Sequence, residues 1–137
     1  MTSVAAGIIL SIAPNVSIIT ARILDWQGKD AGKLDQAIEF VTARGADIIL
    51  MPITILDPEP TSRYIDKVQS EIINAYSRQV RFIISAQGRG RHHSHRFPGY
   101  LGGVYNIAGV DRQGNYSLTA PPMSLTLDLH PVNKFRD

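Results

Sequence analysis

The apolar positions change their period along the chain, and each change marks an element. Residues Thr2 to Ala13 are small or apolar at almost every place, which predicts a short buried helix stopped by Pro14 and Asn15. Val16 to Leu24 (VSIITARIL) is rich in β-branched residues between turn formers and predicts a strand. From Ala31 to Arg44, Leu34, Ala37, Ile38 and Val41 recur at helical spacing, and Gly45 stands where a helix closes. Asp47 to Met51 is apolar without alternation, as expected of a strand covered on both faces. Three prolines make residues 52–61 irregular. Thr61 or Ser62 then caps a helix running to about Gln79, with the stripe Tyr64 or Ile65, Val68, Ile72, and Ala75 or Tyr76. Val80 to Ala86 (VRFIISA) and Val104 to Val110 predict two further strands, and Asp111 to Asn115 a turn.

This alternation predicts an α/β fold, a parallel sheet with crossover helices. The length of 137 residues fits one domain over 1–137, with 116–137 weakly patterned and expected to be a loose tail. Ligands of such sheets bind outside the carboxyl ends of the strands. The loops of interest are therefore 26–30, 52–61 and 87–103.

Composition narrows the function classes. A hydrophobic share of 44% is enough for a core and excludes wholesale disorder. There is no cysteine, so disulfides, thiolate catalysis and cysteine-bound zinc are excluded. The longest apolar run, Val4 to Leu10, is far short of the roughly 20 residues that span a bilayer, so no membrane role is expected. No basic residue precedes Arg22, so a signal peptide is not expected, and the chain as written reads as cytoplasmic.

The net charge of +2 implies no polyanion partner by itself, but the charge is unevenly placed. Arg78, Arg81, Arg89, Arg91 and Arg96, five of the 14 basic residues, lie between Ile72 and Val110 with no acid among them, leaving nine against 12 acids elsewhere. Three of the four histidines (His92, His93, His95) share that segment.

Six short blocks, in order, resemble the subtilisin-like serine proteases, the subtilase family. Thr2-Ser3-Val4-Ala5-Ala6 resembles the end of His-Gly-Thr-x-Val-Ala-Gly, and Ala13-Pro14-Asn15 with its following strand resembles Ala-Pro-x-Ala. Gly45-Ala46-Asp47-Ile48-Ile49-Leu50-Met51 is similar to Gly-Ala-Asp-Val-Ile-Asn-Met, and Ile83-Ile84-Ser85-Ala86-Gln87-Gly88-Arg89 to Val-Ala-Ala-Ala-Gly-Asn. Phe97-Pro98-Gly99 stands where Tyr-Pro-Ala is usual, and Ile107-Ala108-Gly109-Val110-Asp111 resembles Val-Gly-Ala-Val-Asp. The resemblance runs from Thr2 to about Gly114 and implies a partial subtilisin-like fold, the middle of a complete catalytic domain.

The departures bear on activity. The family's catalytic Asp lies on an earlier strand and its catalytic His just before the matched block, so neither has a counterpart here. None of the serines follows Gly-Thr, so the nucleophile block Gly-Thr-Ser-x-Ala is absent from these residues. The family's oxyanion-hole Asn aligns with Arg89, longer and charged, which is no substitute for a preorganised amide. Pro52 follows Met51 where the family pairs with substrate, and it lacks a backbone donor. With no triad, the isolated chain is expected to be inactive as a peptidase.

Two local constellations compete with this reading. His92, His93 and His95 offer imidazoles to a metal, but no carboxylate is near in sequence and Arg91 and Arg96 repel a cation, so a solvated loop is favoured and no cofactor is expected. Arg89, Arg91 and Arg96 with Gly88 and Gly90 offer guanidinium and amide donors to phosphate or nucleic acid. There is no Walker motif and little aromatic interleaving, so an exposed basic loop is the default. The leading expectation is a degenerate, non-catalytic subtilase-like domain that binds another protein or itself. The alternatives are a segment of a serine endopeptidase whose Asp, His and Ser lie on another chain or reading frame, and phosphate or nucleic-acid binding through loop 88–96.

Overall fold

A computed structural model describes residues 2–25, 27, 32–52, 61–85, 97–99, 101–107, 109 and 112–115. In chain order they form α1 (Thr2–Ile12), α2 (Leu34–Ala43), β1 (Ile48–Met51), α3 (Ser62–Ser77), β2 (Arg81–Ser85) and β3 (Val104–Ile107). The strands make a three-stranded parallel sheet in the order β1-β2-β3. This is the α/β architecture expected from the alternation of apolar periods.

α2 and α3 close by the same device. After α2, Gly45 takes φ 77° while its N–H donates to Thr42 O at 3.1 Å and Ala46 N–H to Val41 O at 3.2 Å. After α3, Gln79 takes φ 68°, with Gln79 N–H on Tyr76 O at 2.9 Å and Val80 N–H on Ala75 O at 3.1 Å. The left-handed residue turns the chain so that the last free carbonyls of each helix are satisfied. At its start, α3 is capped by the Thr61 hydroxyl, which accepts from Tyr64 N–H at 3.3 Å.

Parallel register sorts the side chains into two faces. Ile49, Phe82 and Val104 share one row, and Met51, Ile84 and Asn106 the next. α2 and α3 cover this face. Leu34, Ile38 and Val41 from α2 and Val68, Ile72 and Ala75 from α3 join it in one core, with Phe82, Val68 and Ile72 wholly buried. Tyr64 and Tyr76 are half-buried, as their places on the α3 stripe predict.

The opposite face carries Ile48, Leu50, Ile83, Tyr105, Ser85 and Ile107. It is poorly covered: Ile48 is 59% exposed and Ile107 57%. The unbroken apolar reading of 47–51 therefore describes a strand apolar on both sides but packed on one among the described residues.

Two expectations need correction. Val16–Leu24 is no strand; apart from an isolated bridge at Leu24, it makes no ladder with β1, β2 or β3, and Val16, Ile18 and Ile19 are exposed. Strand propensity makes no sheet where no described strand lies alongside to complete a ladder. Secondly, the helix at the start forms as expected but is not buried. Val4, Ile8, Leu10 and Ile12 face water, Ile12 at 79%, while Ala5, Ala6 and Ile9 are half-covered. No described layer lies over its outer side.

Candidate functional site

The strands end at Met51, Ser85 and Ile107, and their carboxyl ends mark the place where a parallel sheet offers a ligand site. Around them the sequence builds a fixed rim. Phe97 and Pro98, joined by a cis peptide bond, are buried, and Phe97 belongs to the core. The Phe97 ring lies 5.8 Å from that of Tyr64 in the first turn of α3. The Tyr64 hydroxyl accepts from Leu34 N–H at 3.1 Å, satisfying a free amide at the start of α2, where Lys33 makes no side-chain cap. Asn106 Nδ2 donates to Gly99 O at 2.7 Å, and Leu101 N–H to Pro98 O at 3.0 Å.

β2 ends at Ser85, and residues 97–99, which precede β3, are buried and tied to α3 and β3. Removing the Tyr64 hydroxyl tests its tie to α2. Tyr64→Phe keeps the ring contact but leaves Leu34 N–H without that acceptor, and is expected to cost about 1 kcal/mol in urea unfolding.

The residues proposed from sequence as functional, Arg89, Arg91, Arg96, His92, His93 and His95, all lie between these anchors and outside the described residues. Among the described residues, no group of three or more His, Asp or Glu is placed to hold a metal ion. Asp25, just before loop 26–30, closes a local turn. Its Oδ1 accepts from Gln27 N–H at 2.8 Å.

A shallow groove of about 430 Å³ lies between α2 and α3, lined by Asp35, Arg63, Asp66, Lys67, Ser70 and Glu71. Its charges are mixed and it opens to solvent away from the core. Asp35 Oδ1 there is buried without a hydrogen-bond partner among the described residues.

Tyr64 and Asn106 are the anchoring residues that sequence reasoning did not single out in this role. Asn106 carried a signal: it is a polar residue in an otherwise apolar strand, on the covered side. Nothing local marked the Tyr64 hydroxyl, because its acceptor role depends on α2 lying beside α3.

Against known proteins, the arrangement has counterparts among proteases. A lanthipeptide protease superposes with a TM-score of 0.72 at 24% identity, over 85% of this chain and 38% of its own. The prenylagaramide maturation protease PagA matches at 0.59 and 21% over 71% of this chain and 34% of its own. Sphericase matches at 0.54 and 22%, over 72% and 34%. The chain has a partial subtilisin-like α/β fold. It spans between about a third and two fifths of the length of these proteases. No family model matches the sequence, and no curated protein does. No described helix is long and apolar enough to cross a membrane.

Proposed function

We propose that this chain is a non-catalytic subtilisin-like domain that works by binding protein. The observation that carries the reading is the uncovered apolar surface. One sheet face and the outer side of α1 expose large aliphatic side chains, in a fold whose protease neighbours are more than twice as long. Such surface on a soluble α/β unit marks a contact site. The sequence supports the non-catalytic part: these residues hold no Gly-Thr-Ser, Arg89 stands in place of the oxyanion-hole amide, and Pro52 removes a donor beside β1.

The test is peptide hydrolysis by the purified 137-residue chain. Chromogenic peptides are expected to turn over at the uncatalysed rate, with no labelling by a serine-directed phosphonate. Hydrolysis that the phosphonate blocks would sink the reading.

The coverage of 38% favours a second reading, in which the chain completes a serine endopeptidase whose Asp, His and Ser are carried elsewhere. Its mark would be a native assembly, recovered from the source, that reacts with the phosphonate on a polypeptide other than this one.

A further inference from the structure

We draw no further inference here: the strongest candidate, the open groove between α2 and α3 lined by Asp35, Arg63, Asp66, Lys67, Ser70 and Glu71, carries nothing, because its mixed charges select no class of ligand and its buried Asp35 Oδ1 belongs to a side chain that is itself only half-buried.

Discussion

Phe82→Ala is expected to cost about 3–5 kcal/mol, enough to remove much of the stability of a small domain. Phe82 sits in the middle of the central strand, wholly buried, with Ile49 and Val104 beside it in register. Truncation there forfeits the transfer energy of the ring. It also leaves a cavity that the flanking strands β1 and β3, each hydrogen-bonded to β2, do not close. Urea unfolding followed by far-ultraviolet circular dichroism measures it. A shift of the midpoint at unchanged slope is expected, because the change removes packing and not a whole element. A loss below 1 kcal/mol would show that this face is not the core.

Val68→Asp is expected to abolish the cooperative unfolding transition altogether. Val68 is fully buried on α3, the helix that packs against both α2 and the sheet. A carboxylate at that site has no cation in the core to pair with, and desolvating an unpaired charge costs several kcal/mol. The informative control is Ile12→Asp. Isoleucine is more hydrophobic than valine by any scale, yet Ile12 is 79% exposed, so the same charge should change the stability of the dilute chain by less than about 0.5 kcal/mol. Comparing the two by thermal melts separates apolar character from burial.

That contrast also shows what was legible in the sequence. The stripes on α2 and α3 were readable because helical spacing and burial coincide there. The core residues Leu34, Ile38, Val41, Val68, Ile72 and Ala75 are the ones the spacing selects. The stop at Gly45 was readable because a left-handed helix end favours glycine; the stop near Gln79 was readable only from the strand pattern that begins at Val80, because its left-handed residue is not a glycine. Although most of their residues lie outside the described ones, the loops after parallel strands were legible as the place where such a sheet offers a site. The posts of the 86–96 segment were not, since the Tyr64–Phe97 and Asn106–Gly99 contacts join residues from different elements.

By itself, then, the sequence determined the order and type of the helices, the three paired strands and which faces of α2 and α3 turn inward. Those features follow from the local periodicity of apolar side chains and from the chemistry of helix ends. The tertiary structure decided that Val16–Leu24 forms no strand of the sheet, that α1 is an exposed apolar helix and that one face of the sheet lies open among the described residues. Apolar character states that a side chain gains by leaving water. Only the arrangement of elements in space supplies, or fails to supply, the neighbour against which it can do so.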